Sequence, residues 1–186
     1  MKVVVDTNVL LVANGQHPDI SEECIQSCVE RLLALQRDGV VVIDDAFHIL
    51  GEYQHKTSLS PPKGVGDVFL KWLLRHAGDP RHVELVSITE TEPEHFAEFP
   101  CPELQKRFDA PDRKFPAVSY SHPDKPPIWQ AADSKWLDWW PALAEYGVRV
   151  EFLCPDDAGR FYRNKFPGRS VPAAPGSAPL TVAEHD

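Results

Sequence analysis

The chain has 186 residues, of which 42% are apolar and 25% are charged, a composition typical of one globular domain with extensions. The combination of low hydrophobicity and high charge that marks disordered proteins is absent from the chain as a whole. The formal net charge of -9 argues against an exposed basic face that binds nucleic acid tightly and non-specifically. No apolar run reaches the length of a membrane span and no signal-peptide pattern is visible, so we expect a cytoplasmic protein with no membrane partner.

The strands and helices alternate along the predicted chain. Residues 2–5 are apolar and mostly β-branched, which predicts a buried parallel strand with Asp6 at its carboxyl end. Ser21 is a predicted helix N-cap, and Gly39 ends that helix before a second buried strand at 40–43. Asp45 is predicted to cap a second helix, at 46–56.

The remaining elements continue the same alternation. Later segments predict a helix at 67–76, a strand at 83–88, a short helix near 103–108, a helix after Pro111, a strand at 128–132, a helix at 134–146 and a strand at 148–153. This order predicts an α/β fold with a mainly parallel sheet covered on both faces, a three-layer α/β/α sandwich. From residue 167 onward Pro, Ala, Gly and Ser dominate, which favours a flexible tail.

The four cysteines allow two disulfides or none. Without a secretion signal, reduced thiols are the expectation. Cys24 and Cys28 lie four residues apart on a predicted helix and would share a face. A metal or redox pair is one interpretation of that spacing, and an ordinary buried helix face is the other.

Four acidic residues are candidates for a site. Asp6 ends an apolar strand and precedes more apolar residues, and a carboxylate placed there is costly unless it is paired or binds a metal. Asp133 follows the strand at 128–132, although a simple N-cap would explain it as well. Asp112 is another potential N-cap, and Glu52 lies inside a predicted helix where an exposed glutamate is the ordinary interpretation.

Together, these acidic residues fall within four segments that resemble the PIN domain family in sequence and order. The segments, which together span about residues 1–155, are VVVDTNVLL, VVIDDAFHILGEYQ, APDRKFPAVS and IWQAADSKW followed by YGVRVEFLCP. The resemblance implies a compact nuclease domain at 1–155 with a variable insertion around 57–104, and a C-terminal extension at 156–186. It also implies a ribonuclease that uses Mg²⁺ or Mn²⁺ to hydrolyse RNA phosphodiester bonds.

The resemblance assigns roles to individual residues. Asp6 and Asp133 would bind the metal directly, and Glu52 and Asp112 would bind a second metal or orient water. Thr7, Asn8 and Ser134 would support these ligands by hydrogen bonds. Because many bacterial PIN proteins are toxins, the resemblance also implies a toxin–antitoxin role, a small antitoxin partner and a homodimer.

Other interpretations remain open at the level of sequence. A non-catalytic PIN-like module that binds RNA or protein would carry the same pattern without metal binding. A phosphotransfer enzyme would need a second Asp two residues after Asp6, where this chain has Asn8. Within the third segment, Pro116 requires the predicted helix to begin late or to kink, because proline is tolerated only in the first turn.

Overall fold

The computed structural model of this protein describes residues 1–176. The strands of this part of the chain are β1 (Lys2–Val5), β2 (Val40–Asp44), β3 (Val83–Val86), β4 (Glu90–Glu92), β5 (His95–Phe96), β6 (Ile128–Gln130) and β7 (Val150–Phe152). The helices are α1 (Thr7–Ala13), α2 (Glu22–Asp38), α3 (His48–Lys56), α4 (Val65–His76), α5 (Pro102–Gln105), α6 (Lys114–Ser121), α7 (Trp136–Glu145) and α8 (Pro155–Lys165). A 3-10 turn, Ala110–Asp112, precedes α6.

The central sheet has five strands in the order β3-β2-β1-β6-β7, and every neighbouring pair is parallel. Helices α1, α2 and α4 pack against one another, while α6 packs across β1, β2 and β6. The predicted α/β class is confirmed, with helices covering a mainly parallel sheet in a three-layer α/β/α arrangement.

The direction in which successive strands are added to the sheet reverses between β1 and β6. From β1 it proceeds to β2 and β3 on one side, and β6 and β7 then lie on the other side. Ligands of open α/β sheets bind beyond the carboxyl ends of the strands at such a switch point. The fold therefore places the residues that follow β1 and β6 at the position where a ligand site is expected.

The core explains why the predicted strands form. Val3, Val4 and Val5 of β1 are completely buried, as are Val41 to Ile43 of β2. Strands that are buried on both faces consist of continuous apolar runs, as these do. The same burial means that polar side chains at the strand ends must find partners within the protein or bind a ligand.

Several local predictions need correction. Asp44, not Asp45, caps α3: its carboxylate accepts the backbone N–H groups of His48 at 2.7 Å and Ile49 at 2.9 Å. The exposed Asp45 instead accepts the hydroxyl of Ser87. The sequence also did not predict the antiparallel β4–β5 hairpin, whose short strands are mostly polar and lack an apolar alternation.

The C-terminal extension begins with α8, which packs against α7 through Tyr162. The Tyr162 hydroxyl donates a hydrogen bond to Asp138 at 2.8 Å, and Val171 and Ala174 pack against the same small cluster. The predicted flexible tail therefore includes residues with defined contacts, and its part from 177 to 186 lies outside the described residues. In residues 1–176, none of the helices combines the length and the apolar character that crossing a membrane requires.

Cysteine pairing also departs from the prediction of reduced thiols. Cys24 on α2 and Cys154 at the start of α8 form a disulfide across 130 residues of sequence, while Cys28 and Cys101 are free thiols. The two bonded cysteines meet because α2 and the end of β7 pack together. No local sequence pattern predicts a contact between two residues that lie so far apart along the chain.

Candidate functional site

Asp6 lies at the end of β1 and serves as the N-cap of α1. Its Oδ1 atom accepts the backbone N–H of Asn8 at 2.8 Å. The residue is only 4% exposed, and its Oδ2 atom is buried without a hydrogen-bond partner. Burial, followed by repulsion from Asp112, raises the pKa of the Asp6 carboxyl well above its ordinary value. A buried oxygen with no partner is a plain reason to expect a ligand at this position.

Asp133 follows β6 and is held close to the end of β1. Its Oδ1 atom accepts the backbone N–H of Lys135 at 3.0 Å, which fixes the turn before α7. Asn8 links the two strand ends: its amide donates to Gln130 and its Oδ1 atom accepts the backbone N–H of Ala131 at 3.0 Å. The Asn8 side chain thus contacts Gln130 and the Ala131 backbone and does not contact one of the four predicted carboxylates directly, so its supporting role stays a prediction.

Glu52 points inward from α3 towards the same cluster. The Thr7 hydroxyl donates to its Oε1 atom at 2.5 Å, and the ammonium group of Lys114 pairs with its Oε2 atom. Its side chain is 19% exposed, so the alternative of an ordinary surface glutamate does not hold. Thr7 is thereby a direct hydrogen-bond partner of a candidate ligand.

Asp112 is positioned by the 3-10 turn that ends with it. Helix α6 begins only at Lys114, so Pro116 falls in its first turn and the helix is not broken. Burial, then repulsion from Asp133, Asp109 and Glu52, raises the pKa of the Asp112 carboxyl to about 7. Lys114 opposes that rise. The carboxylates of Asp6, Glu52, Asp112 and Asp133 are therefore close enough to repel one another.

Ser134, a predicted supporting residue, and Asp109, a second acidic residue near Asp112, have other surroundings. Ser134 is buried next to Asp133, just before α7. Its predicted supporting role rests only on this closeness to Asp133. Asp109, the acidic residue closest in sequence to Asp112, forms an ion pair with Lys135. Neither Ser134 nor Asp109 replaces one of the four predicted carboxylates as a candidate ligand.

The donor set fits a hard divalent cation in its chemistry. Mg²⁺ and Mn²⁺ prefer carboxylate and water oxygens, and the partnerless Oδ2 atom of Asp6 offers one such ligand. The four carboxylates are nevertheless spread apart. Within residues 1–176, no three of these carboxylates have oxygens that all lie within 4.8 Å of one another, a spacing that Cys24, Cys28 and Cys154 meet. Binding of one ion by three of these carboxylates would therefore require their side chains to move closer together.

Two clefts lead to the carboxylates. One of about 460 Å³ reaches Asn8 and Asp133 and is also lined by His17, Phe161 and Lys165. The other, of about 470 Å³, reaches Glu52 and Lys114 and is lined by Phe47 and Lys56, among other residues.

Sequence reasoning missed three contributors to this region. Gln130 lies on β6 and accepts hydrogen bonds from the Asn8 amide and, at 3.4 Å, from the Asp133 backbone N–H. Gln130 could have been noticed in the sequence because it is a polar residue within a strand that was predicted to be buried. Phe161 lies on the unpredicted helix α8, and Phe47 has a left-handed backbone that no sequence pattern indicated.

Comparison with known proteins adds no assignment to this geometry. No family model, no curated protein and no solved structure matches the chain.

Proposed function

We propose that the protein is a metal-dependent ribonuclease of the PIN kind that hydrolyses RNA phosphodiester bonds with Mg²⁺ or Mn²⁺. The observation that carries the proposal is the buried, partnerless Oδ2 atom of Asp6 at the sheet's switch point, amid three other carboxylates. Asp6, Glu52, Asp112 and Asp133 are the proposed ligands. When bound, the metal would supply an acidified water and positive charge at the phosphate oxygens.

The residues around the ligands would keep them in place. Thr7 orients Glu52 through its hydroxyl, and Asn8 fixes the end of β6 from which Asp133 projects. Residues with such supporting hydrogen bonds commonly determine metal affinity as strongly as some ligands do. Lys114 supplies a positive charge within the cluster, beside Glu52, which would add to the attraction of a phosphate.

The two clefts support an extended polyanionic substrate. Lys56 lies on the wall of one cleft and Lys165 on the wall of the other, and both side chains are exposed. The aromatic pair of His17 and Phe161, with ring centroids 5.2 Å apart, offers a surface on which a base can stack. With a net charge of -9, the protein would rely on these local groups and the bound metal to attract RNA.

A second candidate is a non-catalytic PIN-like module that binds RNA or protein. The ion pair between Lys114 and Glu52 favours it, because an ammonium group there partly replaces the positive charge that a metal would bring. The toxin role, an antitoxin partner and a homodimer are further proposals that rest on the family resemblance.

An RNA-cleavage assay with Mn²⁺ tests the proposal. End-labelled RNA would be incubated with the wild-type protein and with Asp6→Asn, Asp133→Asn and Asp38→Asn. Asp38 lies at the exposed end of α2 and provides a matched control. We expect cleavage by the wild type and Asp38→Asn, and loss of cleavage in the other two and in EDTA.

Three results would argue against this function. Equal cleavage by all four proteins would mean that a contaminant acts, and absence of cleavage with intact RNA binding would favour the non-catalytic module. DNA of the same sequence forms a parallel arm, in which equal cleavage would contradict the assignment to RNA.

A further inference from the structure

A cluster of three cysteines, Cys24, Cys28 and Cys154, contains none of the residues that the proposed function uses. Cys24 and Cys28 are one turn apart on the buried face of α2, and Cys154 follows β7 as the N-cap of α8. All three are at most 5% exposed, and their sulfur atoms lie within 4.8 Å of one another.

The disulfide between Cys24 and Cys154 accounts for only two of these sulfurs. The Cys28 sulfur lies 3.9 Å from that of Cys154 and remains a thiol. In a tetrahedral site with zinc–sulfur bonds of about 2.3 Å, two sulfur ligands are about 3.8 Å apart. The spacing of Cys28 and Cys154 therefore already matches that of two ligands to one ion.

We propose that the reduced protein binds a thiophilic divalent cation of the zinc class through Cys24, Cys28 and Cys154. Thiolates are soft ligands that select such cations over Mg²⁺ and Mn²⁺. Cys154 lies at the N-terminus of α8, where the positive end of the helix dipole stabilises a thiolate. The disulfide and the metal-bound form are alternative states of the same three sulfurs.

The surroundings leave room for a fourth ligand. A cavity of about 120 Å³ borders Cys24 and Cys154 and is also lined by Ser21, Glu23 and Asp156. Water or one of these oxygen atoms can complete a tetrahedral coordination from that side. The cavity is also the route by which a reductant and the ion reach the sulfurs.

The chemistry balances with a dithiol as the reductant. The dithiol gives two electrons and two protons to the Cys24–Cys154 bond, which yields two thiols, and itself becomes a cyclic disulfide. Binding of the cation then forms three sulfur–metal bonds and releases three thiol protons to solvent.

Titration of the reduced protein with Cd²⁺ alone tests the proposal. The protein would be treated with a dithiol and freed of it without oxygen, and thiolate-to-cadmium charge transfer would be recorded in the ultraviolet. We expect saturation at a single ion per chain, displacement by Zn²⁺, and no band in the oxidised protein. Because carboxylates give no such band, Asp6→Asn should titrate like the wild type, so this test is independent of the ribonuclease proposal.

The remaining free cysteine supplies the control. Cys101→Ser should bind as the wild type does, whereas Cys28→Ser should lose the band. Retention of the full band in Cys28→Ser, or absence of the band in the reduced wild type, would overturn the proposal.

A measurement on the wild type guards against a variant that does not fold. Alkylation of the reduced protein, mapped by mass spectrometry, should be slowed by Zn²⁺ at Cys24, Cys28 and Cys154 and unchanged at Cys101. Equal rates with and without Zn²⁺ at the three cysteines would likewise overturn the proposal.

Discussion

The ammonium group of Lys114 pairs with the carboxylate of Glu52 within the carboxylate cluster, and both side chains are largely buried, at 7% and 19% exposure. The same ammonium donates to the backbone carbonyl of Pro111. Lys114 thus joins the start of α6 to α3 and offsets part of the negative charge that Asp6, Asp112 and Asp133 bring. The family resemblance gave this lysine no role.

Removing the positive charge should destabilise the protein in the absence of metal. We expect Lys114→Gln to lower the free energy of unfolding by about 2 kcal/mol, because Glu52 is left unpaired among like charges. Lys106→Gln, in an exposed pair with Glu103, is the control and should change it by less than about 0.5 kcal/mol. Urea unfolding in EDTA measures both. Equal stability of the two variants would show that Lys114 does not balance the cluster.

Asp112→Asn should stabilise the metal-free protein at high pH. The pKa of Asp112 in the folded protein, about 7, lies above the ordinary value of 3.8. The folded state therefore keeps a proton between about pH 4 and 7 that the unfolded state releases, and this contribution to stability is lost as the pH rises. Asparagine carries no such penalty. We expect an advantage on the order of 2 kcal/mol at pH 8 and a small difference at pH 4.

Urea unfolding in EDTA at the two pH values measures this effect, with Asp38→Asn as the control. A stability difference between wild type and Asp112→Asn that is the same at both pH values would contradict the placement of Asp112 among the carboxylates.

The strand ends of the site were predictable from sequence, whereas the contacts between distant segments were not. Asp6 and Asp133 each follow an apolar strand, and parallel strands bring their carboxyl ends to one edge of the sheet. Asp44 and Asp45 are adjacent in sequence, so only the backbone path decides which of them caps α3. Neither the Lys114–Glu52 pair nor the approach of Cys154 to α2 leaves a local sequence signal.

Phe47 should contribute to RNA binding at a cost in backbone strain. Its backbone is left-handed, with φ of 63°, and its side chain is 45% exposed on the wall of the cleft that holds Glu52. Such a conformation costs a residue other than glycine about 1 kcal/mol. We expect Phe47→Gly to unfold no more readily than wild type, and its affinity for labelled RNA to fall about tenfold through lost stacking.

Fluorescence anisotropy with a cleavage-resistant RNA analogue in Mn²⁺ measures that affinity. Leu33→Ala is the control, because Leu33 is also an exposed apolar residue but lies on α2. This variant should leave the RNA affinity unchanged. Unaltered RNA affinity in Phe47→Gly would remove Phe47 from the binding surface.

The contact between α1 and α4 depends on Gly66. A Cβ atom at this residue would lie 2.1 Å from the carbonyl oxygen of Leu10, a backbone atom that cannot move aside. We expect Gly66→Ala to destabilise the protein by about 3 kcal/mol. Gly51→Ala in α3, where a Cβ would meet nothing within 4 Å, should instead stabilise it by about 0.5–1 kcal/mol. Thermal unfolding distinguishes the two, and a stable Gly66→Ala would contradict the close approach.

Calorimetric titration of the metal-free protein with Mn²⁺ tests the central claim, that the carboxylates at the switch point form a metal site. Asp6 supplies the buried oxygen without a partner, so the wild type and Asp38→Asn should bind Mn²⁺ and Asp6→Asn should not. Absence of binding to the wild type, or binding that is unchanged in Asp6→Asn, would contradict the account.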